Sequence, residues 1–469
     1  MTVTRREMLR AGTAVAAAAV APTANARTRS GRKPNFLVIL CDDLGYGDVS
    51  PYGGRIPTPE IARMAQEGLV ATSYYAPENM CTPSRAGLLT GRYPVRTGLG
   101  YEVILLGEDR GLPLSEVTIA EALKPDYATG LMGKWHLGHT GPSWPPTKHG
   151  FDYFYGIPYS HDIEPLSIYE SHATDNVARP VPWNFHTLQE QFYQAAEKFL
   201  IDHRDRPFFL ELALSAPHLP EYPYGPFAGK TKQGPYGDVV LEVDSIVGRV
   251  LNKLRELGLA EDTLVLFTSD NGPWFEGSAG GLRDRKGGAG YDGGHRVPFI
   301  AWQPGTVPAG KRTDAIIGGI DLLPTFCAMA GKAPPAGVEL DGKDISAVLK
   351  TGTAPSPHQE ILLFNNEEVM GLRTQRWQFV EDTYWRGGLQ NLSKRGYDQL
   401  YDTQTGDMDE SYSVAVSHPD VTADLKGRLA AAKAKFAPFK KGIPPLFQKF
   451  KAEAAQRELQ DLKPVARQD

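Results

Sequence analysis

Short, continuous apolar runs that alternate with helical patterns constrain the fold of this chain more than any other feature. NFLVIL (residues 35–40), PFFLELALSA (207–216) and TLVLFTS (263–269) are apolar almost throughout, as strands buried on both faces are. VVLEVDSIVGRVLNKLRELG (239–258) has apolar residues at helical spacing between the last two runs. This alternation predicts an α/β fold, with a large, mixed, mostly parallel sheet sandwiched by helices.

Weaker signals extend this pattern. YATGLMG (127–133) and VPFIAWQPG (297–305) predict further strands. TPEIARMAQEG predicts a helix, with Thr58 as its N-cap, Pro59 in its first turn and a glycine at its end.

A change in composition marks a second region. KTGTAPSPHQ (350–359) is a small-residue and proline-rich linker. Shorter and more polar strands follow it in ILLFNN, MGLRTQRWQFVED and DQLYDT, and TADLKGRLAAAKAKF predicts a helix. We therefore expect a small C-terminal antiparallel sheet with a helix. The expected organisation is a catalytic α/β domain (34–350), a C-terminal α+β subdomain (357–440) and a charged tail (441–469).

The N-terminus has the pattern of a cleaved export signal. Arg5 and Arg6 precede a weakly hydrophobic Ala/Val run, and Ala-Asn-Ala at 24–26 fits a small-residue cleavage site. Residues 1–26 are therefore predicted to be a bacterial twin-arginine signal peptide, read by the twin-arginine export machinery, and the mature protein is expected in the periplasm or outside the cell. A disordered basic tail is the alternative.

Charge and cysteine content exclude several classes of protein. The formal net charge of −5 argues against nucleic acid or an anionic membrane as a partner. Past the N-terminus, the sequence lacks an apolar window long enough to span a membrane. Three cysteines cannot form a dense disulfide scaffold. Cys41 and Cys327 lie in apolar segments and are expected to be buried, whereas Cys81 has polar neighbours.

Polar side chains follow four of the predicted strands where each strand ends. These residues are Asp42 and Asp43, Lys134 and His136, His218, and Asp270 and Asn271. Sites of open parallel α/β sheets form at the carboxyl ends of the strands, so we expect these side chains to meet. Such a set is what a metal-assisted hydrolase requires.

The oxygen donors in this set indicate the metal. Asp42, Asp43, Asp270 and Asn271 offer hard oxygens, which suit Ca²⁺ or Mg²⁺ rather than zinc, and Ca²⁺ is favoured because it tolerates irregular geometry. Taken alone, DDLG and SDNG could each be a simple turn.

The segment around Cys81 predicts an anion-stabilising helix start. Thr82 is expected to cap a helix with Pro83 at its first position, which leaves Cys81 just outside the helix N-terminus. Backbone N–H groups favour negative charge there, and Arg85 in the first turn can reach the same place. A thiol nucleophile is one interpretation, although a thiolate beside hard oxygen ligands is chemically unusual.

CTPSR (81–85), continued by AGLLTGR, resembles the signature of the type I sulfatases, in the alkaline-phosphatase superfamily. The resemblance continues through NFLVILCDDLGYGD, GKWHLG, FTSDNG, LRDRKGGAGYDGGHRVP and DLLPT, and LRTQRW and QLYD extend it towards the C-terminus. Within the family, GIPYSHD (156–162) is similar to arylsulfatase A and N-acetylgalactosamine-6-sulfatase. The resemblance implies an alkaline-phosphatase-like fold and hydrolysis of a sulfate monoester to sulfate and an alcohol or phenol.

The resemblance also implies a modified residue and a metal. In this family, a maturation enzyme oxidises the signature cysteine to formylglycine, whose hydrate provides the oxygen nucleophile, and Cys81 is the matching residue. The implied Ca²⁺ ligands are Asp42, Asp43, Asp270, Asn271 and the formylglycine at position 81, and Mg²⁺ is the less favoured ion.

Five further roles follow from the same resemblance. Arg85 would stabilise the hydrated aldehyde, and Lys134 would bridge nucleophile and sulfate. His136 would take a proton from the second hydroxyl. His218 and Lys286 would hold the sulfate and help to protonate the leaving oxygen. Each has a simpler alternative when taken alone, as a solvated lysine, a structural histidine, a turn or a basic loop.

Substrate contacts are the least constrained part of the sequence. Ser160 matches a substrate-contacting position of the family, and DTYWRGG (382–388), with Trp385, could line the rim of the pocket. Four other histidines are expected to be structural or at the rim: His139, His149, His161 and His295. The substrate could be a carbohydrate sulfate, an aryl sulfate or a sulfated lipid.

Two other functions remain open at this point. A phosphonate or phosphate monoester hydrolase could use the same scaffold, nucleophile and metal. A catalytically silent protein that binds sulfated glycans could retain the fold, but it would have no reason to keep Cys81, Pro83 and Arg85 together with the ligand positions.

Overall fold

The computed structural model describes residues 32–385 and 388–461. The predicted signal peptide, residues 386–387 of the predicted rim loop and the last part of the predicted tail lie outside the described residues.

The strands of the described chain are β1 (Asn35–Asp42), β2 (Leu69–Ala71), β3 (Tyr74–Tyr75), β4 (Ala128–Lys134), β5 (Tyr153–Ile157), β6 (Ile168–His172), β7 (Arg179–Val181), β8 (Phe208–Pro217), β9 (Thr263–Ser269), β10 (Phe299–Trp302), β11 (Lys311–Thr313), β12 (Ile317–Gly318), β13 (Ile361–Asn365), β14 (Glu368–Arg373), β15 (Trp377–Val380), β16 (Asp382–Trp385), β17 (Gly388–Asn391) and β18 (Gln399–Asp402). The helices are α1 (Pro59–Glu67), α2 (Cys81–Thr90), α3 (Ile119–Leu123), α4 (Leu188–Asp202), α5 (Gly234–Glu256), α6 (Asp292–His295), α7 (Leu322–Met329), α8 (Ser346–Thr351), α9 (Pro419–Phe436) and α10 (Pro445–Asp461).

A large mixed sheet forms the centre of the molecule, in the strand order β11-β2-β10-β9-β1-β8-β4-β5-β6-β7. Strand β1 lies in its middle and pairs in parallel with β8 and β9, and β4 pairs in parallel with β8 and β5. Strand β10 runs antiparallel to β9 and β2. The carboxyl ends of β1, β4, β8 and β9 therefore lie at one edge of the sheet.

Alternation along β1 shows why this sheet has two buried faces. Leu37, Ile39 and Cys41 belong to the apolar cluster on one face, whereas Val38 and Leu40 belong to the cluster on the other face. Helices α4 and α5 pack on the first face, with α1 against α5, and α2, α3, α7 and α8 form the layer on the second. Cys41 and Cys327 are buried, as expected, and both are free cysteines.

A small antiparallel sheet, in the order β13-β14-β15-β18, follows the large one, and α9 packs on it. Leu425 and Leu429 of α9 share an apolar cluster with Leu372 of β14 and Phe379 of β15. Strands β16 and β17 form a separate hairpin. The predicted fold class, a mostly parallel sheet sandwiched by helices plus a small antiparallel sheet with a helix, is confirmed.

Two local predictions differ from the structure. Thr58 precedes α1, but its side chain makes no cap and bonds with Ser50 instead. Helix α2 begins at Cys81 with Met80 as N-cap, so the prediction that Thr82 caps it and that Cys81 lies outside was wrong. The Thr82 hydroxyl donates to the carbonyl of His136 instead, at 2.9 Å.

Among the described helices, none combines the length and apolar character that a membrane crossing requires.

Candidate active site

The acidic side chains of the site come from two adjacent strands. Asp42 ends β1, Asp43 follows it, and Asp270 follows β9. Because β1 and β9 pair in parallel, the three carboxylates lie together, and the backbone N–H of Asp43 donates to Asp270 Oδ1 at 3.2 Å. All three side chains are buried.

Each of these carboxylates has its own cation. Lys134, at the end of β4, places Nζ 2.7 Å from Asp42 Oδ2, and Lys286 places Nζ 2.7 Å from Asp43 Oδ2. Arg85, the fifth residue of α2, donates from Nε to Asp270 Oδ2 at 2.9 Å. Buried charges are costly unless paired, so these three pairs make the cluster tolerable in the interior.

The opposite carboxylate oxygens turn towards Cys81. Its Sγ lies 3.3 Å from Asp42 Oδ1 and 3.7 Å from Asp43 Oδ1. Asp42, Asp43, Cys81 and Asp270 each offer one ligand atom, and these four atoms lie within 4.8 Å of one another. Asn271 donates from Nδ2 to Asp43 Oδ1, while its buried Oδ1 has no hydrogen-bond partner among the described residues.

This donor set fits a hard divalent cation. Three carboxylates converge on one place, and the adjacent Asn271 has a buried amide oxygen with no partner among the described residues; oxygen ligands of this kind suit Ca²⁺ or Mg²⁺. The fourth ligand atom is the sulfur of Cys81.

Burial and the neighbouring cations have opposite effects on the pKa values of the three carboxylates. Burial opposes ionisation of Asp42, but Lys134 and the other cations hold its pKa well below the usual range. Burial likewise opposes ionisation of Asp43, yet Lys286 and His218 keep its pKa low. At Asp270, burial outweighs Arg85 and raises the pKa to about 6. Asp42 and Asp43 therefore stay ionised, whereas Asp270 can exchange a proton near neutral pH.

The Cys81 thiol is not activated here. Burial, followed by the negative charge of Asp42, raises its pKa well above the usual range of a cysteine. A low-pKa thiolate is what a cysteine nucleophile requires. The structure therefore disfavours the thiol-nucleophile interpretation.

His136 has a defined donor and a free acceptor. A carbonyl can only accept, so the contact of Nε2 with the Ile104 carbonyl, at 3.1 Å, assigns the ring hydrogen to Nε2. Nδ1 is then the basic nitrogen, and it is buried with no partner among the described residues. Burial, helped by Lys134, lowers the pKa of His136 well below its usual range.

The backbone is strained at two of these positions. Asp43 and His136 have φ values of 62° and 57°, in the left-handed region that side chains rarely adopt. Strain of this kind costs about 1–3 kcal/mol per residue and concentrates at functional sites.

His218 follows β8, and its Nε2 lies 3.7 Å from Asp43 Oδ2. Ser160 Oγ lies 3.4 Å from Nε2 of His218. His161 packs edge-on against His218, with ring centroids 5.5 Å apart, and contacts the Pro220 carbonyl through Nε2.

A cavity of about 260 Å³ opens above the cluster. Its polar base contains Asp43, Cys81, His136, Ser160, His218 and Lys286. Its walls contain Met80, Val103, Leu105, Asp162, Ile163, Leu219 and Trp274. The structure thus brings all the predicted site residues into one cluster: Asp42, Asp43, Cys81, Arg85, Lys134, His136, Ser160, His218, Asp270, Asn271 and Lys286.

Two features of the site were missed from the sequence. Glu211 is a fully buried acid within β8 whose pKa is raised to about 7, by burial against the opposing effect of Arg85. The sequence does contain a signal for this residue, because Glu211 is the charged residue of the otherwise apolar run PFFLELALSA. Trp274 lies at the cavity wall, and no sequence pattern indicated that position.

An open α/β sheet that gathers buried acids and cations at the carboxyl ends of its strands is typical of hydrolases that act on charged esters. Comparison with known proteins identifies one family within this class. The chain belongs to the sulfatase family: the family model described as Sulfatase matches residues 34–332.

Individual relatives agree with this assignment. Human arylsulfatase A is 40% identical over 373 residues, covering 73% of this chain and 73% of that protein. N-acetylgalactosamine-6-sulfatase of Canis lupus familiaris is 37% identical over 353 residues, covering 68% of this chain and 66% of that protein. The crystal structure of a sulfatase from Pseudoalteromonas sp. has a TM-score of 0.80 at 28% identity, covering 88% of this chain and 92% of that chain. The resemblance inferred from the motifs is confirmed, and the protein is a sulfuric ester hydrolase.

Proposed function

We propose that this protein hydrolyses a sulfate monoester with a formylglycine made from Cys81 and with a bound Ca²⁺. One observation carries the proposal: Cys81 lies among three buried carboxylates, each paired with its own cation, at the base of an open cavity. The high pKa of the unmodified thiol supports a nucleophile other than sulfur.

Two groups supply chemistry that the encoded side chains lack. Hydrated formylglycine at position 81 supplies an oxygen nucleophile for attack on sulfur. Ca²⁺ would be held by Asp42, Asp43, Asp270, Asn271 and residue 81, and it would supply positive charge beside the sulfate group.

The cations of the chain stabilise negative charge around residue 81. Lys134 and Lys286 are buried, and their contacts with Asp42 and Asp43 raise the pKa of each ammonium despite burial, so both stay charged. They hold sulfate oxygens as charge shifts towards the leaving oxygen. Arg85 stays charged beside Asp270 and orients the modified residue at the start of its own helix.

Proton transfer is divided among three residues. Asp270, with a pKa of about 6, accepts the proton of the attacking hydroxyl. His136 is neutral, and its buried, unpartnered Nδ1 would accept a proton from the second hydroxyl of the modified residue, which would assist the release of sulfate. His218, together with Lys286, delivers a proton to the leaving oxygen.

We further propose a carbohydrate or aryl leaving group. The names of the relatives point to both classes, since one is an arylsulfatase and another acts on an N-acetylgalactosamine 6-sulfate. Ser160 lies beside His218 at the base of the cavity, where it can contact the substrate.

Maturation and export complete the proposal. A formylglycine-generating enzyme would act on the segment around Cys81 before folding, because the folded thiol is buried. Residues 1–26 would direct the protein through the twin-arginine machinery to the periplasm.

The test is a ranking of kcat/KM for matched esters of one phenol as sulfate, phosphate and phosphonate, with protein coexpressed with a maturation enzyme. We expect the sulfate ester to rank first. A phosphonate or phosphate ester in first place would favour the alternative hydrolase, and the absence of turnover with all three would favour a binding protein.

A further inference from the structure

The walls of the active-site cavity differ from its base. The base is polar, whereas the walls are mostly apolar: Val103 and Leu105 contribute from one loop, Ile163 and Leu219 from two others, and Trp274 from the loop after β9. Trp274 has 39% of its surface exposed. Ligand-binding cavities are typically lined by apolar and aromatic side chains around a few polar groups, and Trp274 fits that pattern here.

The loop of Trp274 is tied to the metal-ligand end of β9. Trp274 lies three residues after Asn271 in the chain. Its carbonyl accepts from Arg285 Nη1 at 3.1 Å and from the N–H of Gly277 at 3.3 Å. The N–H of Lys286 donates to the Pro273 carbonyl at 3.1 Å, so one connected loop holds both the aromatic wall and the cation at the base.

A second aromatic ring supports the first from outside. Phe275 packs edge-on against Trp274, with centroids 4.8 Å apart and an interplanar angle of 84°. The guanidinium of Arg285 lies over the Phe275 ring, 4.9 Å from its centroid. These contacts favour one orientation of Trp274 before any ligand binds, which lowers the entropic cost of stacking.

We propose that Trp274 is a specificity-determining residue that stacks against the ring of the leaving group. This inference rests on the proposed function, since the ring it receives is attached to the sulfate held by Lys286 and His218. The cavity of about 260 Å³ has room for about one such ring above the base. The flat, apolar face of an aryl group or of a sugar ring is the shared chemistry that Trp274 recognises.

The experiment compares the wild type with Trp274→Ala and Trp274→Phe, using 4-nitrophenyl sulfate and N-acetylgalactosamine 6-sulfate as substrates. We expect Trp274→Ala to lower kcat/KM about tenfold for at least one substrate, mainly through KM, because the lost stacking contributes to binding. Trp274→Phe keeps a ring and should recover most of the loss. The inhibition constant of inorganic sulfate, which occupies only the base, should change by less than about twofold.

Matched controls separate this effect from general damage. Tyr412→Ala removes another exposed aromatic ring, in the C-terminal region, and should leave both substrates unaffected. A loss with the aryl ester alone would assign the wall to an aryl group, and a loss with the sugar ester alone would assign it to a sugar. Unchanged kcat/KM for both substrates in Trp274→Ala would overturn the proposal.

Failure of the proposed function gives a different result. In that case, the wild type would turn over neither sulfate ester. Quenching of tryptophan fluorescence by 4-nitrophenyl sulfate still tests the stacking without turnover. Quenching that is weaker in Trp274→Phe than in the wild type would support the contact, and equal quenching would exclude it.

Discussion

Two clusters of buried charge can be compared in this molecule. The site cluster comprises Asp42, Asp43, Asp270, Arg85, Lys134 and Lys286. The seam cluster, between the large and small sheets, comprises Asp292, Arg296, Arg373 and Glu410. It lines a cavity of about 480 Å³, against about 260 Å³ at the active site. The seam cavity is the larger of the two, so cavity size does not identify the active site, and the arrangement of side chains must distinguish the two clusters.

At the seam, the charged side chains are linked by hydrogen bonds to one another and to Tyr75. Asp292 accepts from the Tyr75 hydroxyl at 3.0 Å and from Arg296 Nη1 at 3.1 Å. Arg373, on β14, donates from Nε to the same hydroxyl at 2.9 Å. Burial, followed by the negative charge of Asp292, raises the pKa of Glu410 well above its usual range.

The comparison shows two ways in which a fold tolerates buried acids. The site cluster balances its carboxylates with cations and leaves their remaining oxygens directed at one place. The seam removes charge by protonation and by pairing, and its hydrogen bonds connect the two sheets. We therefore interpret the seam as structural, and convergence of ligand atoms, rather than cavity volume, as the mark of the active site.

The largest expected effect is at Cys81. Cys81→Ala should lower kcat/KM by at least about 10⁴-fold, because it removes the precursor of the nucleophile. Its melting temperature should stay close to that of the wild type, as measured by calorimetry. Cys327→Ala changes another buried cysteine and should retain activity; equal losses in the two variants would refute a special role for residue 81.

Lys134→Met comes next. Removing a cation that stabilises the transition state should reduce kcat/KM about 10²–10³-fold, measured by steady-state kinetics with an aryl sulfate. Lys332→Met, which removes a lysine bonded to Asp126 away from the site, is the matched control. Activity within about threefold of the wild type in Lys134→Met would contradict the assigned role.

Of the two clusters, only the site cluster should bind Ca²⁺ and be stabilised by it. At about 100 times its dissociation constant, Ca²⁺ should stabilise the wild type by about 2.7 kcal/mol, seen as a rise in melting temperature after removal of metal with a chelator. Asp43→Asn should reduce this rise, and Glu410→Gln should keep it. A rise of equal size in Asp43→Asn would place the cation elsewhere.

Arg373→Met should lower stability but not activity, the opposite of the result expected for Lys134→Met. Loss of its hydrogen bond with Tyr75 beside buried acids should lower the free energy of unfolding by about 2 kcal/mol, measured by urea denaturation. The kcat/KM of the folded protein should remain within about twofold of the wild type. A hundredfold loss of activity without loss of stability would give the seam a catalytic role.

Glu410→Gln should have the smallest effect, and it should depend on pH. The folded pKa of Glu410 lies above the unfolded value of about 4.5, so its contribution to stability is complete below pH 4.5 and is lost as the pH rises through the folded pKa. The variant lacks this loss, so its stability should gain on that of the wild type as the pH rises from 4.5 to 8, measured by urea denaturation at each pH. A constant difference across this range would show that Glu410 does not titrate there.

The sequence predicted most of the site cluster because its residues follow strands. Asp42, Lys134 and Asp270 each lie at the end of an apolar run, and parallel strands bring such positions to one edge. The predicted start of α2 was wrong by two residues because Thr82 contacts His136, in a distant segment, instead of capping its own helix. A local pattern cannot report such a long-range bond.

The seam and the cavity wall depend on tertiary contacts alone. Glu410 lies in a polar segment, DTQTGDMDESYS, that has the composition of an exposed loop, yet its side chain is buried. Trp274 has no periodic apolar neighbours, so its place above the site follows only from the path of the loop. The burial of Glu410 depends on residues more than a hundred positions earlier in the chain, such as Asp292.

The most direct test of this account is the mass of the tryptic peptide that spans residues 64–85, taken from active protein produced with its maturation enzyme. The account predicts a peptide lighter than the cysteine form, reactive towards hydrazides, and present in proportion to the specific activity. Fully active protein in which Cys81 is entirely unmodified would contradict it.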